Sequence, residues 1–537
     1  MRKINVVLAI LMLCQTLAFS QKLSSDFKFS VATPYAVIDA GSKEYISLDN
    51  GTMIMVKMGK GIVNIQKFDA NKNIEVARKT YKDLPKTAFF IDAIKLGSRI
   101  FYIYSVEEKA TKGYKVYARE IDTDNLAFKT PTELIKTSRA VVAAPSNGNL
   151  AEMKVGFGAF GGRAKFIVHK SFDESKVMIT YRAYPLSKSD AKNKDEIGFF
   201  VFDNNMEKVW GNEVKMPYTE KEINNVGYSI SKSGQAMMLV AHRTKKKYEA
   251  FIINSDGKLV VNELDLSTDQ LVKNISINED LSGNYKCVGF YANGLDFKFT
   301  LGGSLSFNTN GLMYFEIDDE GKLIKSKNFD FSDDFIKQNL NDRQKKSVDK
   351  REANGKAGIE DVVLTNFVIK NDGSSVIIGE QQYMRNEFWG PKQQMVYHFS
   401  NIIALKINPS GELVWMKKLA KNQAGIRGGG QMSISYMEGK TSDYIAFVDN
   451  PKNINLDANG GIPEAHKDGA GGFLTTYKID GANGSLEKHT LCDLNKIGEY
   501  KAYQFKAYRV TKADENTFLM EVYIKGKKDT MVKFEMK

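Results

Sequence analysis

The sequence is poor in the residues that build metal sites, disulfide frameworks and chain bends. Its 537 residues include only three cysteines, ten prolines and five histidines. No two histidines stand at a short ligand spacing, and neither HExxH nor CxxC occurs. A typical zinc site is therefore not expected, and we expect no cofactor. The histidines are His169, His242, His398, His466 and His489.

Local motifs of several enzyme classes are also missing. The sequence contains no GxSxG nucleophile elbow and no sialidase-type SxDxGxTW repeat. Residues 156–161 match GxGxxG, but the stretch Ala164–His169 that follows has the pattern of a strand, so the dinucleotide fingerprint lacks its helix. Carboxylates that converge from distant segments would leave no local spacing to detect. The sequence thus favours a non-catalytic protein and leaves enzymatic activity open.

Charge of either sign is only mildly in excess. Lysine and arginine number 76 against 64 acidic residues, giving a formal net charge of +12. The short basic runs Lys245–Lys247 and Lys525–Lys528 stand where hairpin turns are expected. We therefore expect no nucleic-acid partner, which would need a concentrated basic patch and a recognisable module. An anionic glycan is compatible with the small positive excess.

The only long apolar run opens the chain. Arg2 and Lys3 precede a mostly apolar stretch, and small residues at Ala18 and Ser20 stand before Gln21. This arrangement predicts a signal peptide over residues 1–20, whose removal takes away two positive charges and lowers the net charge from +12 to +10. A buried N-terminal helix and a lipid on Cys14 are the alternatives. We expect an exported protein in the periplasm, at the outer membrane or outside the cell.

No later stretch reaches the ~18 apolar residues that a membrane-spanning helix requires, so no transmembrane segment is expected. Cleavage would leave two cysteines, Cys287 and Cys492. They could form one disulfide in an oxidising compartment, or they could be buried apolar side chains. The strand-like surroundings of Cys287 favour burial.

A repeated pattern organises the chain. A β-type run ends in Asp or Asn, then a turn follows, then a second strand. Several turns contain Gly after Asp, Glu or Ser, as in SDGKL and DEGKL, which suits a tight connection. Two further strand-like runs precede most copies, which gives four strands per unit, the composition of a β-propeller blade. The seven anchor residues are Asp69, Asp122, Asp203, Asn254, Asp318, Asn408 and Asp480.

An eighth copy at the C-terminus lacks its last strand. Residues 26–38 contain a surplus strand-like run that could supply it. The sequence therefore predicts an all-β fold over residues 21–537, a single propeller of eight four-stranded blades closed by an N-terminal strand. Seven blades, or two separate propeller-like or sandwich domains, are the alternatives.

Two tryptophans support the repeat. Trp210 lies seven residues after Asp203, and Trp415 lies seven after Asn408, which predicts packing between blades. Residues 368–384 with 400–421, and residues 171–185 with 199–218, are similar to secreted propeller-type proteins of the Gram-negative cell envelope. The resemblance spans most of the chain after residue 20. It implies a fold and a compartment and implies no catalytic residues.

Three segments depart from the minimal repeat and are the expected places for binding. The segment at about 332–356 is highly charged and predicts a helical or partly disordered surface arm. The segment at about 384–400 predicts a long hairpin whose aromatic and basic side chains could stack on a sugar ring or a peptide. The candidate ligand-binding residues are Arg385, Phe388, Trp389, Lys392, Tyr397 and His398. Their alternative role is to cover a neighbouring blade.

The third segment, 449–472, contains a weak calcium candidate. Asn455, Asp457 and Asn459 alternate before Gly460 like the start of a calcium loop. The first position is Asn, however, and His466 stands where a bidentate Glu is needed. We therefore predict no metal site.

Two functions follow as hypotheses. The first is a non-catalytic exported propeller that docks other proteins of the bacterial envelope, with the charged arm as a docking element. The second is a propeller that binds or hydrolyses glycans with its loop aromatics and with carboxylates at the central channel.

Overall fold

The structure is a computed structural model that describes residues 27–536 except 60, 143–163, 188, 246, 267–269, 294–306, 427–431, 470, 505, 507–508 and 515. The predicted signal peptide and the GxGxxG match at 156–161 therefore lie outside the described residues. Nearly all described elements are strands, numbered here in chain order. They form eight sheets of at least four strands, and among the described strands every pairing in these sheets is antiparallel except that of β30 with β33.

Two strands precede the first sheet, β1 (Phe27–Val31) and β2 (Tyr35–Ala36). Sheet I contains β3 (Ser42–Ser47), β4 (Thr52–Gly59), β5 (Ile62–Asp69) and β6 (Ile74–Tyr81). Sheet II contains β7 (Ala88–Leu96), β8 (Arg99–Glu107), β9 (Tyr114–Ile121) and β10 (Thr132–Lys136). Sheet III contains β11 (Val141–Val142), β12 (Phe166–Lys170), β13 (Lys176–Ala183), β14 (Glu196–Asp203) and β15 (Lys208–Lys215). Sheet IV contains β16 (Ile223–Ile230), β17 (Ala236–His242), β18 (Tyr248–Ile253) and β19 (Leu259–Leu264).

Sheet V contains β20 (Leu271–Glu279), β21 (Tyr285–Ala292) and, after the short β22 (Asn308–Thr309), β23 (Gly311–Ile317) and β24 (Leu323–Asp330). Helices α1 (Asp333–Lys337) and α2 (Asp342–Glu352) follow, and then β25 (Ile359–Glu360), which pairs with β22. Sheet VI contains β26 (Val362–Ile369), β27 (Ser375–Trp389), β28 (Lys392–Ile407), β29 (Leu413–Leu419) and β30 (Gln423–Gly425).

Sheet VII contains β31 (Ile434–Glu438), β32 (Ser442–Asp449), β34 (Phe473–Asp480) and β35 (Leu486–Asp493). Between β32 and β34 lie a 3-10 turn (Pro451–Asn453) and β33 (His466–Lys467), which joins sheet VI. Sheet VIII contains β36 (Ala502–Gln504), β37 (Val510–Asp514), β38 (Thr517–Ile524) and β39 (Lys528–Met536), together with β1 and β2.

The seven anchor residues occupy equivalent positions. Each ends or directly follows one strand of an antiparallel pair, namely β5, β9, β14, β18, β23, β28 or β34, and six of the seven accept a backbone N–H from two to four residues further on, at 2.7–2.9 Å. Gly257, Gly321 and Gly411 follow three anchors at φ of 77°, 87° and 85°, a conformation that glycine adopts without strain. The repeat therefore marks a real structural unit.

The core lies between the sheets. Eight clusters of buried apolar residues join successive sheets, from sheets I and II through to sheets VII and VIII, and one of them joins sheet VIII back to sheet I. In that last cluster Met53 and Met55 of sheet I pack with Leu519 and Met531 of sheet VIII. Sheets that pack face to face and return to the first form a closed ring, so the two-domain alternative does not fit.

The N-terminal strand completes the last sheet. β1 pairs antiparallel with β39, from Phe27 opposite Met536 to Val31 opposite Val532, and lies outermost. The predicted fold class, an all-β propeller closed by an N-terminal strand, is confirmed. Eight blades remain our prediction for the number of repeats.

A buried ionic cluster reinforces this closure. The carboxylate of Glu521 (β38) contacts the ammonium groups of Lys57 (β4) and Lys43 (β3), the latter at 2.9 Å. Tyr35 and Tyr45 each donate a hydrogen bond to Glu521 at 2.8 Å. Burial alone would raise the pKa of Glu521, but the two lysines outweigh it and lower the pKa to about 2. The cluster thus ties the two ends of the ring together.

The tryptophans and cysteines occupy the core. Trp210 donates from Nε1 to the carbonyl of Gly234 in the next sheet at 2.7 Å, and Trp415 packs between sheets VI and VII. The packing role that the repeat predicts for both is therefore seen. Cys287 (sheet V) and Cys492 (sheet VII) are free and buried, so the disulfide alternative is wrong and the buried alternative is right.

Candidate functional site

The long connections concentrate at one end of the ring. Because neighbouring strands run antiparallel, connections alternate between the two ends of each sheet. One end, here the turn end, carries the anchor turns and short turns such as Ser231–Gln235. The other, here the insertion end, carries the arm at 332–356, the hairpin at 384–400 and the segment 449–472. The three segments singled out in the sequence therefore share one end of the ring.

The arm contains both helices. Ser332 caps α1, and Asn341 caps α2 with a reciprocal pair of 2.9 Å hydrogen bonds to and from Gln344. Lys337 joins the helices through ion pairs to Asp349 and Glu352, at 2.9 and 3.0 Å. Capping residues and ion pairs of this kind stabilise short helices, so the residues of the arm themselves favour its helical structure.

The arm is docked on sheets V and VI. Ile336 and Val348 are buried in the cluster between these sheets. Lys418 of β29 is 2% exposed and donates to the carbonyl of Ile336 at 2.8 Å. Burial lowers the pKa of Lys418 to about 7. Gln338 also donates to the carbonyl of Asn459 at 3.0 Å, which joins the arm to the third segment.

The hairpin is an extension of sheet VI beyond its neighbours. β27 and β28 pair from Ser375–Ile407 to Trp389–Lys392 with one register shift between Glu380 and Gln382, and Gly390 turns the chain at φ 67°. β30 pairs with β28 at residues 397–399, and β33 pairs parallel with β30. The base of the hairpin is thereby fixed to sheet VI and to the third segment.

The six candidate residues of the hairpin divide between its two faces. The register pairs Trp389 with Lys392 and places Arg385 and His398 on the same face, here the charged face. The remaining two, Phe388 and Tyr397, lie on the opposite face with Met384 and Met395, here the apolar face. The structure therefore does not bring the six candidates together into one stacking site.

The charged face is occupied by its own contacts. The Tyr383 and His398 rings stack with centroids 4.8 Å apart, and the Arg385 guanidinium lies 4.6 Å from the Tyr383 centroid. Arg385 also pairs with Glu360 at 2.8 Å. Lys467 of β33 lies 5.6 Å from the centre of the Trp389 ring. These contacts fit the alternative in which hairpin aromatics cover neighbouring segments.

The apolar face is open to solvent among the described residues. Phe388 is 75% exposed, Met384 45% and Met395 42%. The three side chains share one face of one hairpin, whereas isolated exposed apolar residues are common on any protein surface. This face is the feature of the insertion end that most resembles a binding surface.

The weak calcium candidate forms a turn. Asp457 Oδ1 accepts the backbone N–H of Asn459 at 2.8 Å, and the carbonyl of Asn459 binds Gln338. Asn455 contributes no carboxylate. Over the described ranges, no group of three or more His, Cys, Asp or Glu residues is placed to hold a metal ion.

Sequence reasoning missed a carboxylate pair at the insertion end of sheets III and IV. Asp195 lies 3.4 Å from Arg182 Nε, and Arg182 Nη2 lies 3.7 Å from Glu220. Asn225 donates to Asp195 at 3.5 Å, and Asn193 donates to Glu220. Burial and the adjacent Glu220 raise the pKa of Asp195 to about 6. These residues come from separate strands and loops, so the sequence contains no local motif that would indicate the pair.

A second buried cluster lies between sheets VI and VII. Lys421 and Glu380 are fully buried and 2.6 Å apart, and Ser433 donates to Glu380 at 2.7 Å. Ser433 adopts φ 70°, an uncommon conformation for a serine. The cluster anchors the base of the hairpin, because Lys421 also donates to the carbonyl of Phe399 at 2.8 Å.

The known structures that are similar to this chain share little of its sequence. No protein-family model and no curated protein matches the sequence. The chain is similar in structure to the Dos1 propeller, with 7% identity, TM-score 0.43, and coverage of 94% of this chain and 95% of that one. It is similar to the propeller domain of the Trilobed protease from Pyrococcus furiosus, with 11% identity, TM-score 0.35, and coverage of 89% and 99%. It is also similar to the polysaccharide lyase Uly1, with 10% identity, TM-score 0.39, and coverage of 96% of this chain and 94% of that one.

The protein is thus a β-propeller, as its own sheets establish. None of the helices in the described part of the chain has the length and hydropathy to cross a membrane. The resemblance to secreted envelope propellers holds for the fold, while export and compartment remain predictions.

Proposed function

We propose that this propeller is a non-catalytic docking platform of the bacterial cell envelope, exported by residues 1–20, that binds a partner protein at its insertion end. The observation that supports this proposal is the apolar face of the hairpin, where Met384 and Phe388 are exposed and Met395 lies diagonally between them on the neighbouring strand. Exposed apolar residues that adjoin one another on a rigid element are the usual mark of a protein-binding surface.

Two further features support a protein partner. The β28–β30 and β30–β33 pairings and the Lys421 hydrogen bond hold the hairpin base in place, which lowers the ordering cost of binding at this surface. The exposed side of α2 carries Arg343, Lys345, Lys346 and Lys350, which have no ion-pair partner among the described residues. Basic side chains at the same end of the ring favour an acidic partner surface and speed encounter.

The test is capture from the native envelope with matched variants. Substituting Met384, Phe388 and Met395 by Ser should remove a stoichiometric partner from the full-length, affinity-tagged protein after mild crosslinking. The matched control substitutes Val260, Val261 and Ile324, which are 44%, 39% and 47% exposed on outer strands, by Ser. Equal recovery of the partner with both triple variants, or recovery of the wild-type protein alone, contradicts the proposal.

A glycan-active propeller is the second candidate, favoured by the Asp195–Glu220 pair. Two adjacent carboxylates beside an arginine, one with a pKa near neutrality, can supply a proton donor and an acceptor. Polysaccharide binding and cleavage by the wild type, lost in Asp195→Asn and Glu220→Gln, would support this function. No binding to a panel of neutral and anionic polysaccharides would reject it.

A further inference from the structure

The upper part of β27 is an open sheet edge. β26 covers β27 only as far as Gln381, and the backbone N–H of Gln382 then donates to the carbonyl of Asp361 at 3.0 Å. Beyond this point β28 is the one strand in the described part of the chain that is hydrogen-bonded to the backbone of β27, and β25 contacts the start of this stretch through Glu360. The edge therefore runs from Tyr383 to Trp389.

The direction of the backbone groups along this edge follows from the Gln382 contact. Gln382 points its N–H away from β28, and backbone groups alternate sides along a strand. Met384, Asn386 and Phe388 therefore direct their N–H and C=O groups outward. Their side chains all lie on the apolar face, because side chains also alternate. Outward hydrogen-bonding groups and exposed apolar side chains thus belong to the same three residues.

We propose that the open edge of β27 at Met384–Phe388 binds an extended, acid-flanked segment of the partner protein as an added strand. This inference rests on the proposed function and specifies how that site works. A strand added here would form hydrogen bonds with the outward N–H and C=O groups of Met384, Asn386 and Phe388. Every second side chain of the added strand would then pack beside Met384 and Phe388.

The acidic flanks are inferred from the unpaired basic side chains that the described part of the insertion end carries. The edge opens toward the end of the arm, since β25 contacts β27 through the Arg385–Glu360 ion pair and the Gln381–Glu360 hydrogen bond. The arm carries Lys345, Lys346 and Lys350 on its exposed side, and Lys392 lies at the hairpin tip. An incoming segment with acidic residues outside its apolar centre would complement these charges.

The three outward-facing positions of the edge carry no proline and no lysine, while the charged side chains of Arg385 and Glu387 lie on its other face. Natural sheets shield an open edge with proline, a bulge or outward lysines. Here the outward-facing residues are Met, Asn and Phe, and no bulge interrupts the β27–β28 ladder from Gln382 to Trp389. An edge of this kind that is seven residues long is compatible with strand addition.

Removing one backbone N–H group from the edge tests the proposal. Asn386→Pro removes the central outward N–H, and proline is tolerated on a strand edge because the bonds to β28 remain. Asn386→Ala is the matched control, since it removes the side chain and keeps the N–H. The probe is a fluorescent peptide with five alternating Val and Thr residues and two acidic residues at each end. Binding is measured by anisotropy with the full-length protein.

We expect the peptide to bind the wild type, Asn386→Ala to retain affinity within about threefold, and Asn386→Pro to lose about tenfold or more. Lysine in place of the acidic flanks should weaken binding by a similar factor at low salt. No binding of the acidic peptide, or equal affinity of the proline and alanine variants, overturns the proposal. A wild-type dimer in sedimentation that Asn386→Pro dissociates would instead assign the edge to a second copy and also overturn it.

The same variants separate this inference from the proposed function. If the Met384, Phe388 and Met395 serine variant loses the envelope partner while Asn386→Pro keeps it, docking at the insertion end stands and strand addition is wrong. If neither variant changes partner recovery, the docking function itself is wrong.

Discussion

The ionic cluster that closes the ring gives the most quantitative prediction. Glu521→Gln keeps the size of the side chain and removes its charge, which leaves Lys57, fully buried, without its nearest carboxylate. Removing one partner of a buried ion pair costs about 3–5 kcal/mol. Asp529 remains 3.2 Å from Lys43 and 3.9 Å from Lys57 and offsets part of the loss. We therefore expect a loss of about 3 kcal/mol.

The assay is native-state hydrogen exchange in β38, β39 and β1. A loss of about 3 kcal/mol corresponds to roughly a hundredfold drop in protection at these strands. The control is Glu412→Gln, which removes one partner of an exposed pair with Lys327 and should change stability by less than about 0.5 kcal/mol. Protection in Glu521→Gln within about 1 kcal/mol of the wild type would refute the role given to this cluster.

Further predictions concern pH, the arm and the closing strand. Burial lowers the pKa of His466 to about 4, so the unfolded chain takes up this proton at a higher pH than the folded chain, and stability should fall as pH drops from 6.5 to 4. His466→Gln should reduce that loss of stability, measured by urea denaturation. Lys418 has a pKa of about 7 when the arm is docked and near 10.5 when it is free, so docking of the arm should tighten as pH rises from 7 toward 10.5. Hydrogen exchange in α1, corrected for the intrinsic pH dependence of the exchange rate, should show this tightening, and Lys418→Met should abolish it. Corrected exchange that does not change with pH would contradict the prediction. Deleting Phe27–Val31 exposes the β39 edge and should produce concentration-dependent association in sedimentation, whereas a stable monomer would contradict the closing role of β1.

The fold was predictable because its signals are local. Each anchor such as Asp203 or Asp318 caps its own turn within four residues, so each repeat can be recognised from a short stretch of sequence. The surplus strand at Phe27–Val31 was also visible, since the last repeat lacks a partner for Met536. Periodicity and turn chemistry suffice for such features.

The site was only partly predictable because its parts are distant in sequence. The hairpin was found as a cluster of aromatics, but the split of Trp389 and Phe388 between two faces depends on the register of β27 with β28. The Asp195–Glu220 pair is assembled by Arg182 from another strand, and the Glu521–Lys57 pair joins positions 464 residues apart. Tertiary convergence of this kind leaves no spacing in the sequence.

Site-specific photocrosslinking in the native envelope tests the docking claim most directly. A photoreactive residue at position 388 is compared with one at position 256, which lies in an anchor turn at the other end of the ring. Docking at the insertion end predicts a discrete crosslinked protein product from position 388 and none from position 256. Absence of a product at 388, or the same products from both positions, would contradict a docking surface at the insertion end.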